Sequence, residues 1–194
     1  MPAISSIIKK ETRDKRLPKQ LGDFAEGLVV YVLGQMRGMS VAQIDHVGAD
    51  IIAADRKTGE RFAISVKSRI FSKKTGENRA YGAEFEHIKK LEDTARTFDM
   101  KAAVAFVFKD DADGVDKIRI IIAAVDDLKK NSEEKKSRDF LHRTKDSITI
   151  NFNTKNAEEQ MKDCSFIDYI EFELKENGKS FRFPSKNISG PLDI

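Results

Sequence analysis

Apolar residues recur at intervals of three and four between Lys19 and Arg37. Leu21, Phe24, Ala25, Leu28, Val29, Val32, Leu33 and Met36 make one stripe, which predicts an amphipathic helix with Gly38 placed to stop it. The period then changes. Val41 to Val47 is a short mixed strand, and Gly48 to Arg56 and Glu60 to Arg69 are strands rich in Ile, Val, Phe and Ala. Lys57-Thr58-Gly59 between them reads as a hairpin turn. Ser72 to Gly82 is a polar loop. A second amphipathic helix is expected at about Ala83 to Phe98, with Phe85, Ile88, Leu91, Ala95 and Phe98 as its stripe. Lys101 to Lys109 is a near-continuous apolar run, the mark of a strand covered on both faces. Asp110 to Gly114 turns the chain into a further strand, Asp116 to Val125. The pattern weakens beyond that point. It predicts an exposed helix over Asp126 to Leu141, a strand at Ser147 to Asn153, a short helix at Ala157 to Asp163 and a strand at Phe166 to Leu174. Asn177-Gly178 marks a turn before Phe181-Arg182-Phe183. The sum is an α/β fold, a mixed sheet flanked by helices.

Nothing in the composition divides the chain. With 194 residues, 40% hydrophobic and 35% charged, it suits one domain with a substantial core and a well-solvated surface. Within 1–194 we expect a basic N-terminal arm at 1–19, a core at 20–108 and an extension of the same domain at 109–194. No apolar run reaches membrane-spanning length, and the first residues lack the apolar stretch of a secretory signal. Cys164 is the only cysteine, so an internal disulfide is excluded. A buried structural thiol in a reducing, cytoplasmic setting is the expectation.

The net charge of +3 permits nucleic acid as a partner without arguing for it. Its distribution says more. Lys9, Lys10, Arg13, Lys15, Arg16 and Lys19 crowd the first twenty residues, and Arg69, Lys73, Lys74 and Arg79 follow the second hairpin strand. Either cluster alone reads as a solvated loop. Their placement around candidate chemistry raises the phosphate-binding alternative.

That chemistry lies in the hairpin. A two-residue turn at Thr58-Gly59 sets Asp50 directly opposite Lys67 and Ile52 opposite Ser65. Side chains alternate faces along a strand, so Asp50, Ser65 and Lys67 share one face. Ile51, Ala53, Phe62, Ile64 and Val66 occupy the other as core. Asp50 and Lys67 interrupt two strongly apolar strands, and such charges are costly to bury unless they pair or bind an ion. A cross-strand salt bridge and an ion site are both open on spacing alone.

The order of these elements resembles the PD-(D/E)XK nuclease superfamily, in particular restriction endonucleases and archaeal Holliday-junction resolvases. The resemblance rests on a helix bearing Glu26, then Gly48-Ala49-Asp50-Ile51-Ile52, then a hairpin into Ile64-Ser65-Val66-Lys67-Ser68-Arg69. It covers about Gln20 to Phe108. It implies a restriction-endonuclease-like core of four strands, Mg²⁺ dependence with Mn²⁺ as a substitute, DNA as the partner, and room for a homodimer. The implied activity is phosphodiester hydrolysis by a metal-dependent endonuclease. Asp50 and Glu26 would be metal ligands. Lys67 would orient the attacking water and balance charge, and Arg69, Lys73, Lys74 and Arg79 would hold phosphates.

One position departs from the pattern. The acidic residue expected two before the lysine is here Ser65, a poor ligand for a hard cation. One branch of restriction enzymes has Ser-x-Lys and takes the missing carboxylate from the following helix. Glu84, at helical spacing from Ile88, Leu91 and Ala95, is the candidate for that role, with Glu77 a weaker one and Glu86 facing solvent. The alternative function is a nuclease fold without catalysis that binds DNA or a protein partner. His46, His87 and His142 show no metal-ligand spacing to one another.

Overall fold

The computed structural model describes residues 16–71, 79–110, 116–133, 139–153 and 156–174. Its elements are α1 (Leu17–Gln35), β1 (Met39–His46), β2 (Ala49–Asp55), β3 (Arg61–Phe71), β4 (Ala80–Glu84), α2 (Phe85–Thr97), β5 (Lys101–Asp110), β6 (Asp116–Ala124), α3 (Val125–Glu133), β7 (Leu141–Arg143), β8 (Ser147–Asn151), α4 (Ala157–Lys162) and β9 (Asp168–Leu174). Six strands form one mixed sheet in the order β1-β2-β3-β5-β6-β9, and β4-β8-β7 form a second, smaller sheet. Only β3 and β5 run parallel in the large sheet. That pair needs a long crossover, which β4 and α2 supply. The expected additional C-terminal strands, β6 and β9, extend the large sheet to six.

Alternation along the strands builds two cores. On one face Ile51, Ala53, Ile64, Ala105 and Ile120 meet Ala25, Val29, Val32 and Leu33 of α1. On the other, Ala63, Phe106, Phe108 and Ile121 meet Ile88, Leu91 and Ala95 of α2 and Ile148 and Ile150 of the small sheet. Every residue from Ala103 to Phe108 is therefore buried, as the apolar run predicts. Cys164 is buried in the second core. No helix among the described residues is long and apolar enough to cross a membrane.

Three expectations need correction. The loop read over Ser72 to Gly82 ends in β4, which pairs with β8 from Ala80↔Asn151 to Glu84↔Ser147. Gly82 belongs to that pairing: a Cβ there would stand 2.7 Å from Thr149 Oγ1 and 2.9 Å from the Ile148 carbonyl oxygen. A strand of small residues around a glycine carries little hydrophobic signal. The helix expected to lie exposed over Asp126 to Leu141 runs from Val125 to Glu133, and Val125, Leu128 and Ser132 are buried. Its charged residues hide a narrow inner face, and Leu141 already opens β7. The hairpin is also out of register with its expected pairing. Ile52 faces Ala63 and Ile51 faces Ile64, so the same register carried one step further sets Asp50 across from Ser65, not Lys67. The cause is Asp55, whose Oδ1 accepts the Lys57 amide at 2.8 Å while its carbonyl accepts the Gly59 amide at 2.8 Å. This turn begins one residue early and closes with Gly59 at φ +74°. Because the shift is even, the side chains keep their faces. The turn at Asn177-Gly178, Phe181 to Phe183 and most of the basic arm lie outside the described residues.

Gly48 fixes how β1 and β2 meet α2. Its φ is +91°, and a Cβ on it would lie 2.6 Å from the Lys90 carbonyl oxygen. The adjacent Val47 carbonyl accepts the Thr94 hydroxyl at 2.6 Å. Gly48→Ala is expected to lower stability by about 3 kcal/mol, from backbone strain plus a clash with helix backbone. Gly59→Ala, strained at φ +74° but with nothing near its Cβ, should cost about 1 kcal/mol. Urea unfolding of both variants measures the difference, and equal losses would mean that the contact with α2 is slack.

Candidate functional site

A β-bulge aims the central carboxylate. Gln43 pairs with Ile51 and His46 with Ala49, so Ile44 and Asp45 together stand across from Asp50. Two residues against one bends a strand and twists it further. As a result Ala49 packs into the core under α2, while Ile51 packs into the core under α1. Asp50 sits where the chain rolls from one face to the other, just beyond the last paired residues of β2 and β3, Ile51 and Ile64. Its Oδ2 accepts the Val66 amide at 2.6 Å and the Ser65 hydroxyl at 3.2 Å. The carboxylate thus takes over a backbone donor that the ladder has ceased to satisfy.

Lys67 is half-buried, two residues past the buried Ser65 on the same side of β3, with Phe106 beside it on β5. No ion pair joins Asp50 to Lys67, and Lys67 makes none among the described residues. The simple cross-strand salt bridge is therefore not formed.

Glu26 reaches the site from α1. It lines a cavity of about 570 Å³ together with Lys19, Asp23, Gln43, Ile44, Asp45 and Asp50. Gln43 Nε2 donates to Glu26 Oε2 at 2.7 Å. Burial, and then the negative charges of Asp50, Asp23 and Asp45, push the Glu26 carboxyl above its usual range against the opposing pull of Gln43. Asp23 and Asp45 were not singled out in the sequence. Asp23 precedes Glu26 by three on a helix and so shares its side. Asp45 comes in only through the bulge, which no residue pattern announces.

Other candidates stand elsewhere. Glu84 is the last residue of β4, extended at φ −68°, ψ 142°, and its side chain is 66% exposed beside His87 at 3.8 Å. It does not point toward the large sheet as expected, because a residue in a strand does not follow the helical projection of the helix after it. Glu86 faces solvent and pairs with Lys90 at 2.7 Å. Arg69 is exposed, its guanidinium 5.5 Å over the Tyr81 ring. Arg79 turns instead to the buried Asp110. Lys73, Lys74 and Glu77 lie outside the described residues.

The Arg79 contact leads into a charge network that the sequence reading passed over. Arg119, 3% exposed, donates to Asp110 at 3.0 Å, Glu158 at 2.6 Å and Glu171 at 3.2 Å. The Tyr169 hydroxyl donates to Glu171 at 2.8 Å. Burial opposes the charge on Glu171, but Tyr169, Lys162, Lys117 and Arg119 outweigh it and hold the carboxyl below its usual value. Burial, and then Glu171, push the Tyr169 hydroxyl up. The available signal was a charge at every second place in apolar strands, as in Ile118-Arg119-Ile120 and Ile170-Glu171-Phe172.

These features define an α/β protein with a mixed sheet between helices and a carboxylate-lined cavity where two of its strands part. No protein-family model matches the sequence, and no curated protein does. Among solved structures, the chain is similar to Hjc of Archaeoglobus fulgidus, a Holliday junction resolvase from an archaeal hyperthermophile. The two share 19% identity over 68% of this chain and 88% of that one, with a TM-score of 0.44.

Replacing Glu26 tests the electrostatics of the cavity. A carboxyl whose value is raised on folding contributes most below its ordinary value of 4.5 and loses that contribution as pH rises through the folded value. Glu26→Gln keeps an acceptor for Gln43 and removes the repulsion. It should raise Tm by about 1–2 °C at neutral pH and leave it unchanged at pH 4, where both forms are neutral. Calorimetric scans at the two pH values check this, and a lower Tm at neutral pH would show that the charge is stabilised.

Proposed function

We propose that this protein is a divalent-metal-dependent DNA endonuclease that hydrolyses phosphodiester bonds in the manner of the PD-(D/E)XK nucleases. The observation that carries the reading is the placement of Asp50 where β2 and β3 part, bonded to Val66 and Ser65 and facing Glu26 across one cavity.

Glu26 and Asp50 would hold the ion, Mg²⁺ or Mn²⁺ in its place. Among the described residues no three His, Cys, Asp or Glu side chains already stand close enough to grip a metal. The donor chemistry nevertheless suits it: hard carboxylate oxygens, with burial and then the neighbouring acids raising the Glu26 carboxyl. A bound divalent ion supplies polarisation of the phosphate and a water of lowered pKa. The chain's own residues do the rest. Val66 and Ser65 lock the Asp50 carboxylate in orientation. Lys67, an ammonium with no partner among the described residues, would bind a non-bridging phosphate oxygen and orient the attacking water. Arg69 would contact phosphates, with Lys73 and Lys74 expected from the sequence to do the same.

A second reading is a nuclease fold that binds DNA or a protein partner without cutting. Ser65 favours it, because it donates a hydrogen bond to Asp50 where the resemblance would place a third carboxylate, and Glu84 stands outside the cavity.

Mn²⁺ titration calorimetry and Mg²⁺-dependent cleavage of duplex and four-way-junction DNA separate the two. On the enzyme reading the wild type binds Mn²⁺ and cuts, Asp50→Asn loses both, and Lys67→Met keeps the metal while losing at least about 100-fold in rate. Glu84→Gln should change neither. If the wild type binds no metal with DNA present and Ser65→Glu restores binding, the second reading stands. Metal binding in none of the variants would remove the metal from both. In each case DNA affinity should fall steeply with salt, and less steeply in Arg69→Ala.

A further inference from the structure

Each of the two carboxylates assigned to the ion has one oxygen already in use. Gln43 Nε2 donates to Oε2 of Glu26 at 2.7 Å. Val66 and Ser65 both donate to Oδ2 of Asp50, at 2.6 and 3.2 Å. Among the described residues no hydrogen bond or ion pair reaches the other oxygen of either group, Oε1 of Glu26 or Oδ1 of Asp50. The two are fixed from different strands. Asp50 is held from β3, whereas Glu26 is held by a side chain of β1 that reaches across to α1. Gln43 stands opposite Ile51, the last regular pair before the bulge, so the ladder itself sets its place. No group of three His, Cys, Asp or Glu side chains among the described residues stands close enough to hold one ion. The cavity of about 570 Å³ has room for many waters.

We infer that Gln43 is a positioning residue: by occupying one oxygen of Glu26 it makes Glu26 and Asp50 a pair of single-oxygen ligands, which selects a small octahedral divalent cation over Ca²⁺. On the metal-dependent reading, on which this rests, Gln43 decides which cation the site accepts. A carboxylate can bind an ion through one oxygen or through both. Ca²⁺ collects roughly six to eight oxygens at flexible angles and gains from carboxylates that bind it through both. Mg²⁺ demands near-octahedral geometry, is held by few carboxylates and keeps several of its waters. Two single oxygens beside a roomy cavity offer the second ion what it needs and deny it to the first. An ion held in this way also keeps positions that a phosphate oxygen can take over from water. Gln43 is the adjustable half of the device. The Asp50 oxygen is held by a backbone amide that no change of side chain removes, while the Glu26 oxygen depends on one exposed side chain. Without that bond Glu26 turns freely and can offer both oxygens.

Binding of Mn²⁺ to the full chain, followed by its electron paramagnetic resonance signal and displaced by Mg²⁺ or Ca²⁺, tests this with no cleavage step. In the wild type Mg²⁺ should displace Mn²⁺ at a concentration about threefold or more below that needed of Ca²⁺. Gln43→Met keeps the length of the side chain and removes the donor. Position 43 is exposed, so the fold should survive, as Tm checks. This variant should bring the two concentrations level or reverse their order, mainly by tightening Ca²⁺. Gln43→Lys returns a donor to Glu26, and should keep the wild-type order while its added charge weakens every cation. If Mn²⁺ binds and the Mg²⁺ to Ca²⁺ ratio is the same in wild type and Gln43→Met, the role of Gln43 is overturned and the metal site stands. The bond would then only tie β1 to α1. A Gln43→Lys ratio that follows Gln43→Met would overturn it equally. A wild type that binds no Mn²⁺ would overturn the selectivity and count against the metal-dependent reading as well.

Discussion

One hydrogen bond organises the candidate site: the Val66 amide to the Asp50 carboxylate, at 2.6 Å. A strand in the middle of a sheet must give every amide a partner, and one that stops pairing inside the protein leaves donors stranded. Here a side chain takes the place of a backbone carbonyl. The strands can therefore part without loss, and the opening between them becomes usable space. The same exchange fixes the carboxylate, so its orientation is settled before any ligand arrives. The bulge in β1 makes the exchange possible, because it turns Asp50 sideways between two cores that are otherwise closed.

Most of the architecture was legible because it rests on periodicity. The stripe of α1, that of α2 and the buried run of β5 each face a core that a simple alternation describes. What escaped depends on particular atoms. The hairpin register turned on whether the Asp55 side chain would cap the turn one residue early. The strand β4 is short, small in its side chains and centred on Gly82, so nothing apolar announces it. That omission also misplaced Glu84, which was assigned a helical direction though it ends a strand. Asp45 reaches the cavity through a backbone irregularity. In the candidate site, Asp50 was legible as a charged interruption of an apolar strand and Glu26 only through the resemblance, while the acidic neighbours Asp23 and Asp45 were not singled out.

Charge is used in two contrasting ways in this chain. Around Arg119 every buried charge has an opposite partner at hydrogen-bond distance, and the group ties β5, β6, β9 and α4 together with the entry to β4. Removing one member would leave another buried and uncompensated, which is why such clusters are costly to break. Around Glu26 the acids outnumber the one lysine that lines the cavity, and their repulsion is tolerated. A balanced network serves the fold. An unbalanced one is tolerable only beside solvent.

The turn between β1 and β2 carries a further consequence. Val47 is 73% exposed at its tip, yet the backbone behind it is pinned to α2 through Thr94 and Gly48. Exposure and tolerance to insertion are therefore decoupled here. A peptide tag spliced in at Val47 would have to pry the hairpin from the helix, with the bulge and Asp50 immediately behind it. The turn from Arg56 to Gly59, also exposed and with nothing near Gly59, is where a label or tether can be attached to a side chain, while its length is fixed by the bonds that Asp55 makes to Lys57 and Gly59.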